Sequence, residues 1–505
     1  MENQKEDRIY NILSVILLSL VTIFSVVRFP YLPQFIDGYY HLSCANGFIK
    51  SGGWVGIAWW DFAPLGRPHL YPPFYHFIIV FLKSIGVEGL NAIRLTEISI
   101  VPIFFFSLWY IFKKEISIVF AFFFLLISTS FFSFYTSISA NLPASIALIL
   151  SIFSGYFLKK KKILSSILFL VLAFYTHAAI PWITLISLIF IAFLSKEYGK
   201  SSLKVILISL SLASFLLFHQ IRYTNYINLS ILKEVMFSHF SIFILVVGSI
   251  SFFLNFKRED FFRLFFMGLI LGSIIVFFKY PYRLFSSQGM LGWIFYSSYL
   301  CEQVVRIIKS KWVNFVLLLL VVYLFFFHST IDLEEGKAKF NLCSSTYHYL
   351  SRGKFIHFLE YTSLFFPRHY LPVVNVIKTF SEENEIIVSN LNFSSQVFSS
   401  LTNRATSRSI LGEVKGFRDF SVYRVAKIIV WVKPFTRELA YLQGKLDLNK
   451  LYENDMFLVY FNPHCSIKVL PIRAKISFIF ISLLFLFWLF IFFWDNAKII
   501  CKILF

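Results

Sequence analysis

Acidic side chains are scarce in this chain. Among 505 residues, 27 Asp and Glu stand against 47 Lys and Arg, a formal net charge of +20. Such a surplus suits either nucleic acid or a membrane, and its distribution decides between them. No Arg-rich arm and no RNA-binding signature occurs, so the excess reads as the positive charge of cytoplasmic loops, and no nucleic-acid partner is expected. No Cys-x-x-Cys or His-Glu-x-x-His pattern points to a metal site among the 5 cysteines and 11 histidines. No Gly-rich phosphate loop opens a helix. The N-terminal "MENQKEDRIYNILSVILLSLVTIFSVV" mixes acid and base and lacks a small-residue cleavage site, so it reads as a retained anchor and not as a signal peptide. Repeats of the solenoid or inverted-transporter kind are absent too.

What is abundant is apolar. The composition is 58% hydrophobic with 66 phenylalanines, and the mean hydropathy is +0.72. The run "ISFIFISLLFLFWLFIFFW" (Ile476 to Trp494) is as long as a bilayer crossing requires. The chain is therefore an α-helical polytopic membrane protein, with membrane lipid as its surroundings. Candidate spans cover 9–27, 92–112, 116–133, 143–158, 163–178, 181–195, 203–219, 240–256, 261–278, 288–304, 312–328 and 474–494.

Charge orients these spans. With the N-terminus in the cytoplasm, "KK" at 113–114, "KKKK" at 159–162, "KEYGK" at 196–200, "FKRED" at 256–260, "RIIKSK" at 306–311 and the C-terminal "DNAKIICKILF" all fall inside. The segment "FYHFIIVFLKSIG" (Phe74 to Gly86) would invert everything downstream if it crossed. It follows Pro72 and Pro73 and is short, so it reads as a helix along the outer interface. The expected domains are a membrane module at 1–328 with a long first external loop at 28–91, an extracytoplasmic α/β domain at 329–473, and a last span with a short cytoplasmic tail at 474–505. The strand-like stretches "EIIVSN", "KIIVWV" and "MFLVYF" carry the α/β expectation. Cys44, Cys343 and Cys465 would be external, and a Cys343–Cys465 bridge is open.

The first external loop carries the chemistry. In "QFIDGYYHLSCANGFIKSGGW" (Gln34 to Trp54), Asp37 and His41 are spaced one helical turn apart just past the first span. A carboxylate near the apolar boundary tends toward a raised pKa, which suits a general base. The competing reading makes Asp37 a helix N-cap. Trp59, Trp60, Tyr71 and Tyr75 are open to reading as an interfacial aromatic belt.

This loop, with "WWDFAPLGRPHLYPPFYHFIIVFLKSIG" after it, resembles the first external loop of the GT-C superfamily. These are integral-membrane glycosyltransferases that use polyprenyl-phosphate-linked sugars, among them the protein-mannosyltransferase and aminoarabinose-transferase groups. "NAIRLTEISIVPIFFFSLWYIFKK" is similar to the family's second span, "AFYTHAAIPWITL" to its Thr-His at an outer span end, and "KYPYRLFSSQGM" to its late outer arginine site. The resemblance runs over roughly residues 10–330. It implies Asp37 as catalytic base in an inverting single displacement, and Arg283 as partner of the donor phosphate. His41, Arg67, His69, Tyr71 and His177 are implied as further substrate contacts. Snorkelling at a span end competes for Arg283, and a hydrogen-bonded helix-end histidine competes for His177.

The chain departs from the family at one point. Relatives place a second acid in the loop that here reads "FYTSISANLPAS", with Asn141 in its place, and the Trp-Trp-Asp-Tyr-Gly signature of oligosaccharyltransferases is missing. A divalent metal is therefore not favoured, no cofactor is expected, and transfer of a single sugar is preferred to en bloc transfer. The implied enzyme is a hexosyl- or pentosyltransferase of the cell membrane, or of the endoplasmic reticulum in a eukaryote, acting on a glycan, lipid or protein acceptor. The alternatives are a transporter or flippase of lipid-linked glycans and a non-catalytic scaffold. Only Glu97 and Glu302 stand out as acids within spans, which argues against ion-coupled transport. "LTNRATSRSILGE" (Leu401 to Glu413) reads as a solvated loop, and "NLS" at Asn228 and "NFS" at Asn392 would be external sequons.

Overall fold

The computed structural model describes the chain except at positions 1, 30–32, 34–35, 141, 229–237, 256–259, 279, 308–310, 335–336, 352–366, 411–413, 418–420, 434–436 and 505. Asn141, most of "FKRED", the middle of "RIIKSK", the last two residues of the "NLS" sequon and the end of "LTNRATSRSILGE" therefore lie outside the described residues.

Each apolar run forms a helix. Glu2–Val27, Gly89–Glu115, Leu142–Lys159, Gly199–Arg222 and Phe478–Leu504 are the long ones. Ile118–Ser130, Ile163–Phe174, Ile180–Leu194, Ile242–Asn255, Phe261–Val276, Leu291–Ile307 and Lys311–Val322 are shorter. The lipid-facing surface is written in exposed apolar side chains such as Ile16, Ile23, Phe193, Phe218, Phe253, Leu483 and Phe487. Inside, the phenylalanines interlock: Phe266 and Phe295 stack at 4.1 Å, and Phe112 meets Phe124 edge-on at 4.8 Å. Gly268 and Gly272 let the helix Phe261–Val276 close onto Ile180–Leu194. A Cβ on Gly268 would stand 2.5 Å from Ser187 Cα, and one on Gly272 would stand 2.8 Å from the Ile183 carbonyl oxygen.

The two ends of the bundle differ. At one end Lys159 and Lys160 pair with Glu115 at 3.1 and 2.6 Å, and Lys161 pairs with Glu197 at 2.9 Å. Lys162 donates there to the Asp495 carbonyl, near the end of the last helix. At the other end Gly53–Trp54 pairs antiparallel with Ile476–Ser477, where that helix begins. Three lysine-bearing turns therefore gather opposite the end that carries the first loop.

A five-stranded sheet sits at the loop end. Its order is Asn449–Glu453, Phe457–Phe461, Ile428–Val432, Ile386–Ser389, Ala405–Thr406. The last three strands are parallel, Phe457–Phe461 runs antiparallel to them, and Asn449–Glu453, antiparallel to Phe457–Phe461, runs in their direction again. Ile428–Val432 is buried along its whole length, as a central strand covered on both faces must be. A separate antiparallel sheet joins Ser238–Ser241 to Thr330–Glu334 and Lys337–Asn341, so the start of the 329–473 segment is tied to a loop of the membrane bundle. Cys343 and Cys465 are both free thiols, and the bridge between them is not formed.

The first loop lies between bundle and sheet domain. The helix Asp37–Ser51 packs against Phe74–Ser84 on one side and Asn392–Thr402 on the other. Phe74–Ser84 is a short 11-residue helix that buries Tyr75, His76 and Ile79 and exposes Phe81. Gly47 sits where a Cβ would fall 2.0 Å from Trp60 Cε3, and Trp60 is itself buried. Gly47→Ala must displace that indole, so we expect a loss of about 1–3 kcal/mol, read as a lower melting temperature in detergent.

Candidate active site

Asp37 opens the loop helix. Ile36 occupies the cap position and Asp37 the first helical residue, with no side-chain cap hydrogen bond. The N-cap reading is thereby corrected: Asp37 lies one residue inside the helix, in its first turn, at the positive end of the helix dipole. Asp37 is half-buried. One turn on, His41 Nδ1 lies 2.9 Å from His76 Nε2. The His41 ring meets Tyr71 at 5.0 Å and Tyr75 at 4.9 Å. The Tyr75 and Thr96 hydroxyls are 2.9 Å apart, and Thr96 donates to the Ile93 carbonyl at 2.7 Å. Tyr71 and Tyr75 thus build the wall of the histidine pocket, a more specific role than a surface belt.

His41, His69 and His76 are buried, and that sets their charge. Burial pushes His41 and His69 well below the ordinary imidazole value, with neighbouring histidines adding to the effect for both and Arg67 and His219 adding for His69. Burial lowers His76 to about 3. All three are neutral at physiological pH.

Tyr71 also touches the next element, its ring 6.3 Å from His177. His177 lies in the turn between Ile163–Phe174 and Ile180–Leu194. There its Nδ1 accepts from the backbone N–H groups of Ala179 and Ile180 at 3.1 and 3.2 Å. A nitrogen that accepts cannot carry the proton, so hydrogen bonding assigns the proton to Nε2. That nitrogen lies 3.5 Å from Arg283 Nη1. Two donors thus converge on one space. Arg283 sits in the short helix Pro281–Phe285, with Pro281 at its first turn, and its Nε donates to the Tyr282 hydroxyl at 2.8 Å. His177 is thus a hydrogen-bonded helix-end histidine, and it also lies beside Arg283.

Arg67 takes another direction. Its Nη2 donates to Asp61 Oδ2 at 2.8 Å, with Asp61 0% and Arg67 2% exposed, and Nη1 donates to the Val414 carbonyl at 3.3 Å. Burial raises the Asp61 carboxyl against the pull of Arg67. Burial also opposes the Arg67 charge, but Asp61 with Tyr40 outweighs it. The pair holds the loop to the sheet domain, where Ser409 also donates to Asp61 at 3.3 Å. His69 stays near His76, their rings 5.5 Å apart, and its carbonyl faces His219 Nε2 at 3.0 Å.

Several groups carried no signal in the sequence reading. His76 partners His41. Arg28 and Glu97 are buried and interact electrostatically, with Tyr135 as a further neighbour of Arg28. Glu97, singled out above only as an acid within a span, follows the Thr96 that holds Tyr75. The roof over the loop helix is polar: Gln396 donates to the Ser43 hydroxyl at 2.8 Å, and Asn46 donates to the Ser400 carbonyl at 2.9 Å. A cavity of about 430 Å³, lined by Lys50, Trp59, Glu382, Glu383, Asn384, Val469 and Pro471, opens at the far end of the loop helix. A 15-residue helix puts that end about 20 Å from Asp37, so the cavity is a separate feature.

No family model and no curated protein matches the chain. Solved structures do match, and what this chain shares with them is the architecture of its membrane bundle and attached sheet domain. ArnT from Cupriavidus metallidurans bound to undecaprenyl phosphate aligns at TM-score 0.55 and 10% identity, over 90% of this chain and 99% of that one. Its apo state aligns at 0.54 and 11% identity, over 89% and 98%. The archaeal oligosaccharyltransferase AglB from Archaeoglobus fulgidus, in complex with an inhibitory peptide and a dolichol-phosphate, aligns at 0.53 and 10% identity, over 90% and 74%. At such identities the likeness is one of fold.

Proposed function

We propose that this chain is a multi-pass membrane glycosyltransferase that moves a sugar from a polyprenyl-phosphate donor to an acceptor on the outer face. The observation that carries the reading is the convergence of His177 Nε2 and Arg283 Nη1, two donors 3.5 Å apart. They stand at turns between apolar helices and are linked through Tyr71 and His41 to the helix that Asp37 begins. A phosphate oxygen lodged between them would accept from both, and a planar guanidinium suits phosphate. The fold supports the same reading, since structures sharing it hold undecaprenyl phosphate or dolichol-phosphate.

In the proposed reaction Asp37 takes the proton of the acceptor nucleophile as that atom attacks the anomeric carbon. The bond from that carbon to the phosphate oxygen breaks, and the polyprenyl phosphate leaves with the electron pair, its charge held by Arg283 and His177. Attack opposite the leaving group inverts the anomeric centre. His41 and Tyr71 would bound the sugar, and neutral His41 can donate or accept without adding charge beside Asp37. His69 and Arg67 belong to the loop's supporting structure on this reading. The acceptor is a glycan, a lipid or a protein, and the chemistry written here needs no metal.

The chain would lie with residues 1–328 as the catalytic membrane module, 329–473 outside, and 474–505 returning to a cytoplasmic tail. Leu65 is exposed in the first loop, and Lys160 is more than a third exposed at the opposite end. In a chain stripped of native cysteines, an impermeant thiol reagent added outside should label Leu65→Cys and spare Lys160→Cys. The reverse pattern would overturn the orientation.

The phosphate contact is tested by Arg283→Lys. A snorkelling arginine tolerates lysine because both reach the interface charged. A phosphate-clamping arginine does not, because lysine is a point charge without the fork. We expect the apparent KM for a polyprenyl-phosphate sugar to rise while protein abundance stays constant. Superimposable donor titrations of wild type and variant in detergent would remove Arg283 from the donor site.

A further inference from the structure

We infer that Cys44, His69 and His76 form a site for a divalent transition metal of the zinc class, separate from the proposed donor site. The three come from different parts of the first loop: Cys44 from the helix Asp37–Ser51, His69 from the segment after Arg67–Pro68, and His76 from Phe74–Ser84. A ligand atom from each lies within 4.8 Å of the other two. Tetrahedral zinc, at about 2.0–2.3 Å from sulfur and nitrogen, places its ligands roughly 3.5 Å apart, so small side-chain turns complete the site.

The second observation is an unmet hydrogen-bonding demand. Cys44 and His76 are 0% exposed and His69 is 2% exposed. Both ring nitrogens of His69 and Nδ1 of His76 are buried without a hydrogen-bond partner. Buried polar atoms are almost always paired, and leaving one unpaired costs about 1–3 kcal/mol. Three such atoms on two rings beside one thiol are costly unless something else joins them. The walls are Phe48, 5.2 Å from the His69 ring and 5.5 Å from His76, and Trp60, 5.7 Å from His69, which leaves an apolar setting.

The ligand types narrow the metal. One thiolate and two imidazoles favour zinc and its transition-metal neighbours over magnesium, calcium or manganese, which take oxygen ligands. His76 would bind through Nδ1, since its Nε2 already meets His41 Nδ1 at 2.9 Å. A metal-bound histidine usually has such an outer hydrogen bond, which fixes the ring. Three protein ligands leave a fourth position open. Because the ligands come from three stretches of one loop, the metal would pin the loop under the sheet domain, and loading would accompany folding.

The test is metal content of the full chain, purified in detergent without chelator and measured by inductively coupled plasma mass spectrometry. About one zinc per chain is expected in wild type and in Asp37→Asn, falling to background in Cys44→Ser and His69→Gln. Should either variant fail to fold, Co(II) added to chelator-stripped wild type gives an independent readout. The expected result is a thiolate-to-cobalt charge-transfer band with tetrahedral d–d absorption, and a higher melting temperature. Folded wild type that carries no metal and gives no such spectrum would overturn the site. Unchanged metal content in both variants would do the same. Neither measurement involves sugar transfer, so their failure leaves the proposed function to be judged on its own assays.

Discussion

Asp37→Asn should lower sugar transfer by about 10²–10⁴-fold, the range that a positioned general base supplies, while protein yield and melting temperature stay close to wild type. The separation is possible because of where Asp37 stands. Ile36, not Asp37, holds the cap position, and asparagine can replace aspartate in the first turn without removing the cap residue. Its charge in the first turn, beside the positive end of the helix dipole, is worth about 0.3–1 kcal/mol. Asparagine keeps the shape and the hydrogen-bonding capacity but cannot take a proton at neutral pH. The measurement is initial transfer rate at saturating donor, with variant and wild type matched for folded protein. Near-normal transfer by the variant would remove Asp37 from the chemistry.

Arg67→Ala should instead cost stability, about 3–5 kcal/mol, because it strands the Asp61 carboxylate where water cannot reach it. Asp61 also accepts from Ser409, so the loss should loosen the first loop from the sheet domain together. The double replacement Asp61→Leu with Arg67→Met removes both charges and keeps apolar volume. It should recover most of the loss, as replaced buried pairs often do. Thermal melting in detergent, read for Arg67→Ala, for Asp61→Leu and Arg67→Met singly and for the double, distinguishes the cases. Equal destabilisation by single and double variants would mean that the pair itself is not what holds the loop.

These two residues mark what a sequence can and cannot tell. Apolar runs are long-range signals that need no partner to be recognised. Every candidate span has its helix, and Phe74–Ser84 is the short helix its length and preceding prolines announced. The stretches "EIIVSN", "KIIVWV" and "MFLVYF" are adjacent strands of the five-stranded sheet, because β-rich apolar segments bounded by polar turns have few other places to go. Asp37, His41, Tyr71, His177 and Arg283 were singled out by a pattern of order along the chain, and the fold brings His41, Tyr71, His177 and Arg283 into one chain of neighbours. Arg67 was not legible, since the pattern could not distinguish a phosphate contact from a pairing with Asp61 on the same loop. The cluster of Cys44, His69 and His76 follows no metal-binding spacing and exists only because the loop folds back on itself. The three-stranded sheet that joins Ser238–Ser241 to Thr330–Glu334 escaped for a similar reason, as both partners are short and far apart in the chain.

The central claim is that this chain makes a glycosidic bond at the expense of a lipid phosphate, and mass spectrometry of lipid-linked sugars and surface glycans tests it most directly. Cells with and without the protein are compared, and so are cells carrying Asp37→Asn. The account predicts that loss of the protein, or of its base, leaves a polyprenyl-phosphate sugar accumulated and one surface glycan, lipid or protein lacking that sugar. Unchanged chemical structures, with only the sidedness of a lipid-linked glycan altered across the membrane, would contradict it and identify a transporter on the same fold.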